Sequence, residues 1–171
     1  VLTEVGGFRT ADVHLLVGED EGALQRTLAG VSRHVLSLEE GTKVFLLFYF
    51  SGHSGGKYLE MGADEVAFKK VRGWMEDSGA QVRMVVVDTC LSAELVGIKG
   101  IRRAPSFDID LQGDLQTEGT VVLTSTGAGE VAQETGDLEG SYFTHHMVSG
   151  LYGAADEDND LSVTLKELYR Y

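Results

Sequence analysis

The stretch FLLFYFSGHSGG, residues 45–56, decides the fold. Six apolar or aromatic residues run without interruption into Ser51-Gly52-His53-Ser54-Gly55-Gly56. An unbroken apolar run bounded by turn residues reads as a strand covered on both faces, the pattern of a parallel sheet. MVVVDTC, residues 84–90, repeats the form and closes on Cys90, the only cysteine in the chain. The strands are predicted over 43–51 and 81–88, with a third, TVVLTS, at 120–125.

Between these runs the spacing becomes helical. Leu24, Leu28, Val31, Val35 and Leu36 recur at helical intervals over 20–38, behind acidic residues that suit a first turn. Val66, Val71, Trp74 and Met75 form the apolar side of a helix predicted over 64–78. Further helices are predicted over 141–151 and 165–171, with a short strand over 12–17 and an extended piece over 57–61. The interval 97–119 is long, polar and holds the only proline; loops of that length in compact domains are usually functional or irregular. Strands alternating with helices imply an α/β fold with a mostly parallel sheet, in one domain over 1–171. Ligands of such sheets bind beyond the carboxyl ends of the strands. His53 and Cys90 each follow such an end, and neighbouring strands would bring them to one edge.

The 171 residues carry a formal net charge of −13. Nucleic acid asks for a basic face, so that class of partner is set aside. The acidity suits cationic partners or, more plainly, solubility. No apolar run approaches the roughly 18 residues that span a bilayer, so no membrane segment is expected in this chain. The chain opens VLTEVGGF, without a basic start, an apolar h-region or an initiator Met. An upstream segment is therefore expected. The compartment is left open, the cytoplasm slightly ahead of export. One cysteine allows no internal disulfide, so Cys90 is either a small buried apolar residue or a reactive thiol.

A cysteine attacks a carbonyl as thiolate, and a nearby histidine can hold that thiolate and then protonate a leaving amine. The backbone N–H groups of Ser54 and Cys90, each in the turn past a strand, are candidate donors to the developing oxyanion. The plainer alternative is a core cysteine and a hydrogen-bonded histidine that never meet. Their equivalent strand ends weigh toward catalysis. His14, inside the predicted strand, and His34, His145 and His146, on predicted helices, read as structural.

Ser51-Gly52-His53-Ser54 after one apolar strand, and Asp88-Thr89-Cys90 after another, resemble the caspase-like cysteine peptidases, above all their bacterial and metacaspase-type members. The likeness continues through KGIRRAPSFDIDL (99–111), VVLTST (121–126), the segment 128–134 and GSYFTHHMVSGLYGAAD (140–156). It implies a three-layer α/β fold, a mostly parallel sheet with helices on both faces, whose first strand is missing from this chain. It implies His53 as general acid/base and Cys90 as nucleophile of a cysteine endopeptidase that requires no cofactor for catalysis. Asp88, two residues before the cysteine, would receive a basic P1 side chain, so the substrate is a peptide or protein cut after Arg or Lys. A partly buried carboxylate suits such a partner; the alternative is that Asp88 holds the loop or orients Cys90. Glu134 is a further candidate for the pocket wall. Lys99, Arg102 and Arg103 are candidate sites of self-cleavage, or else part of a solvated loop.

Two departures stand out. Ser54 replaces a glycine after the histidine, and a serine resists positive φ. Leu91-Ser92-Ala93-Glu94 replaces the usual Ser-Gly after the cysteine, and Glu94 would oppose thiolate formation. They motivate a rival reading, a catalytically inactive interaction module that keeps the fold and responds to calcium. A second rival is an α/β hydrolase using Cys90 on a non-peptide acyl substrate.

Residues 156–167, DEDNDLSVTLKE, match an EF-hand calcium loop. Asp156, Asp158, Asp160, Ser162, Thr164 and Glu167 fall at its ligand positions, with Val163 at position eight. Leu161 stands at position six, where glycine is usual, and no second loop is present to pair with it. The alternative is an acidic turn that caps the last helix.

Overall fold

The computed structural model describes residues 1–55, 57–89, 119–125, 134–135 and 140–171. These form two compact units, one from residues 16–89 and 119–125, the other from residues 1–15 and from 134 onward.

The first unit is α/β. Its sheet is parallel, with β1 (Phe45–Ser51), β4 (Val82–Asp88) and β5 (Gly119–Thr124) in the order β1-β4-β5. Phe48 lies opposite Val85, Phe50 opposite Val87 and Ser51 opposite Asp88; Val85 lies opposite Val122. Side chains alternate along a strand, so Leu46, Phe48, Phe50, Val85, Val87 and Val122 share one face. On that face pack Leu24 and Leu28 of α1 (Glu21–Leu36) and Phe68, Val71 and Met75 of α2 (Phe68–Glu76). Each such side chain contributes about 1.5–3 kcal/mol of transfer free energy when fully buried. Val82, Val85, Val86 and Val87 are all buried, so the second half of β4 is covered on both faces. That is why its sequence shows no alternation.

The start of α1 is tied down twice. Asp20 accepts a hydrogen bond from the Ala23 N–H at 2.7 Å, and Asp64 accepts one from the Glu21 N–H at 3.0 Å. Two of the donors that a helix leaves unpaired at its first turn are thereby satisfied. Lys70 of α2 adds an ion pair to Glu21 at 2.6 Å.

Three expectations are corrected. No strand forms over 12–17. A 3-10 turn spans Thr10–Asp12, and Leu15 and Val17 stand 85% and 76% exposed. Apolar content alone does not make a strand without a neighbour to take its backbone groups. The helix expected over 64–78 begins only at Phe68. Asp64–Ala67 is instead β3, paired antiparallel with β2 (Tyr58–Met61) across Gly62 and Ala63. Gly62 takes φ +60°, which glycine accepts freely, and Val66 faces Leu59 with both fully buried. Leu36, assigned to the apolar stripe of α1, is 73% exposed. Its helix ends there, beyond the last turn that reaches the core.

In the second unit, α3 (Tyr142–Ser149) runs into one π turn, Gly150–Ala154, then the acidic loop and α4 (Leu165–Arg170). Ser141 caps α3 by accepting the Thr144 N–H at 3.0 Å. A Cβ on Gly150 would meet Leu168 at 2.8 Å, so the bare Cα of Gly150 lets α4 pack close. Two short strands, β6 (Glu134–Thr135) and β7 (Gly140–Ser141), pair antiparallel. Among the described residues no helix is long and apolar enough to cross a membrane.

Candidate functional site

The carboxyl edge of the sheet carries the first candidate site. The last register pair of β1 and β4 is Ser51 with Asp88. In the sequence, His53 and Cys90 each come two residues after that pair. His53 is exposed, and its carbonyl accepts the Glu60 N–H at 3.0 Å, which fastens the turn to β2. Cys90 lies outside the described residues, as do Leu91, Ser92, Ala93, Glu94, Lys99, Arg102 and Arg103. Asp88 is buried as the last residue of β4. Glu134 starts β6, opposite Ser141, in the second unit.

Gly52 lies close under an aromatic ring: a Cβ there would stand 3.0 Å from the Phe50 ring. Its N–H donates to the Asp88 carbonyl at 3.2 Å and carries the ladder one step past the strands. Among the described residues, nothing lies within 4 Å of a Cβ built on Gly55. Ser54 is not among the residues with positive φ, which outside glycine are Asn159 and Leu161 in the described chain. A serine is therefore accommodated where the resemblance has glycine.

Hydroxyls join the three strand ends. Ser54 Oγ donates to Thr89 Oγ1 at 3.0 Å. The Thr89 N–H donates to Ser125 Oγ at 3.1 Å, and Ser125 Oγ donates to the Thr89 carbonyl at 3.2 Å. Thr89 is buried. Sequence reasoning passed over Thr89 and Ser125. The one signal was position, since Ser125 closes the third apolar run.

The acidic loop is the second candidate site. Carboxylate oxygens of Asp156, Asp158 and Glu167 lie within 4.8 Å of one another, a group that could hold a metal ion. Asp156 also accepts the N–H groups of Asp160 at 3.2 Å and Leu161 at 3.0 Å. Asp160 accepts the Ser162 N–H at 2.8 Å and stands outside the three-carboxylate group. Leu161 takes φ +69°, the left-handed conformation that position six of a calcium loop requires. Thr164 and Glu167 form a capping box at the start of α4. Glu167 accepts the Thr164 N–H and hydroxyl, each at 2.8 Å, and the Glu157 N–H at 3.0 Å. These donors, the Thr164 N–H foremost, hold its carboxyl below the usual value. Both expectations for this loop, ligand set and helix cap, thus fall on the same glutamate. Ser162 and Thr164 contribute turn and cap hydrogen bonds.

No family model matches the chain, and no curated protein matches it.

Proposed function

We propose that the chain is a caspase-like cysteine endopeptidase of the metacaspase type, cutting after Arg or Lys. The observation that carries this reading is the parallel register of β1 and β4, with Ser51 opposite Asp88. In the sequence the histidine and the cysteine each follow that pair by two residues, and α/β sheets bind ligands beyond the carboxyl ends of their strands. The three-layer arrangement of that family, with helices on both faces, belongs to the same proposal.

In the proposed reaction the imidazole of His53 takes the thiol proton of Cys90, and the thiolate forms a C–S bond to the scissile carbonyl. The oxyanion is held by the N–H groups of Ser54 and Cys90. The C–N bond then breaks, and the imidazolium returns its proton to the leaving amine. Water, with His53 again as base, hydrolyses the thioester. Asp88 supplies the negative charge for a basic P1 side chain. Lys99, Arg102 and Arg103 are the residues after which such an enzyme would cut itself.

Fluorogenic peptides with Arg, Lys or Asp at P1, assayed with and without calcium against Cys90→Ala, test this. Turnover after Arg or Lys that Cys90→Ala abolishes is expected. Preference for Asp would keep the peptidase and overturn the Asp88 pocket. No turnover by folded protein would leave the non-catalytic interaction module; turnover of small esters or thioesters alone would leave the acyl hydrolase.

A second reading concerns the acidic loop, which we propose binds calcium. The left-handed Leu161 beside three converging carboxylates favours it. Asp156, Asp158, Asp160 and Glu167 would offer the hard oxygens that calcium prefers, with Ser162 and Thr164 at the remaining loop positions. Titration calorimetry should show calcium binding in the wild type and its loss in Asp156→Asn. Absence of binding heat in the wild type would leave the loop as a helix cap.

A further inference from the structure

We propose that Ser54 and Ser125 are positioning residues, which hold Thr89 from two sides and so set the peptide unit that leads into Cys90. The proposal rests on the peptidase reading above.

The backbone ladder of the sheet ends with the Gly52 N–H on the Asp88 carbonyl at 3.2 Å and the Ser125 N–H on the Val87 carbonyl at 3.1 Å. Beyond those rungs, side chains take over. One hydroxyl, that of Ser125, accepts the Thr89 N–H at 3.1 Å and donates to the Thr89 carbonyl at 3.2 Å. A second, that of Ser54, donates to the Thr89 hydroxyl at 3.0 Å. Both backbone polar groups and the side chain of one buried residue are therefore held by serines that follow the two flanking strands.

A peptide unit is planar and trans, so a carbonyl and the next N–H point to opposite sides. The Thr89 carbonyl and the next N–H belong to one such unit, so what restrains the carbonyl restrains the unit as a whole. In the peptidase reading that N–H is an oxyanion donor, and such donors act by being fixed before the charge develops. The Ser125 hydroxyl would then act on the rate of the chemical step and not on substrate affinity.

The test uses the full chain carrying Ser125→Ala, Ser54→Ala or Ser125→Thr, with folding checked by circular dichroism. Cys90 is the only cysteine, so iodoacetamide alkylation followed against pH reports on it alone. On a basic-P1 peptide, Ser125→Ala should lower kcat about tenfold or more with KM within about twofold. Ser125→Thr, which keeps the hydroxyl, should recover most of the loss, and Ser54→Ala should fall the same way by less. The alkylation midpoint should move by about half a pH unit or more in both alanine variants. A kcat and an alkylation profile superposed on the wild type, or a rise in KM alone, would overturn the proposal. If the wild type cuts no peptide, the peptidase reading fails by itself. The alkylation profile then decides: a shift restored by Ser125→Thr sustains the clamp, and superposed curves overturn it. If Ser125→Ala does not fold, Ser54→Ala carries the same readouts.

Discussion

At the scale of one residue, Leu161 is the informative case. It is 93% exposed and holds φ +69°. A left-handed conformation costs a non-glycine residue about 1–2 kcal/mol, and a side chain in open solvent returns little by packing. Glycine would remove that strain but add freedom to the unfolded chain, worth about 0.4–1 kcal/mol. Leu161→Gly should therefore raise stability by roughly 0.5–1 kcal/mol, read as a higher urea midpoint with an unchanged slope. A lowered midpoint would mean that the leucine does more than occupy the turn. Gly52 is the reverse case, a glycine in an ordinary conformation whose missing Cβ makes room for the Phe50 ring.

At the scale of elements, the acidic loop and α4 share Glu167. Its carboxyl is held below the ordinary value by the Thr164 N–H and hydroxyl. A group depressed in this way stabilises the fold above its unfolded pKa, and the contribution is lost as pH falls through the folded value. Glutamine keeps the capping geometry without the titration. The gap in thermal midpoint between wild type and Glu167→Gln should be full at neutral pH and shrink below about pH 4.5. A gap constant with pH would remove the carboxylate from the explanation. The three sheet strands and α1 were legible in the sequence because the apolar runs are strand-length and bounded by turn residues, and because α1 carries helical periodicity over several turns behind an acidic first turn. The β2–β3 hairpin was not, because Val66 lies at a spacing that a helix from 64 would also bury; only its pairing with Leu59 decides. The stretch 12–17 looked like a strand because composition says nothing about whether a partner strand exists. His53 was marked by its glycines. The clamp on Thr89 could not be read, since hydroxyls that meet from three strand ends become neighbours only once the register is known.

At the scale of the whole molecule, the acidic surplus and the sheet edge are the features a partner would meet. A chain of net charge −13 repels itself, so added salt should favour the compact state by screening. Within the first unit the edge that carries His53 and Asp88 projects from strands that differ in how they are covered. The second half of β4 is covered on both faces, and the strand is hydrogen-bonded on both sides, between β1 and β5. Amides in such a position exchange with deuterium only when the surrounding unit opens as a whole, whereas exposed turns exchange through small local openings. Deuterium should accordingly reach Val85, Val86 and Val87 last, and the N–H groups of 157–162 among the first. The rim that carries His53 and Asp88 would then be mounted on the slowest-opening backbone of its unit. In the peptidase proposed above, substrate would come and go at that rim many times between successive openings of the strand beneath it.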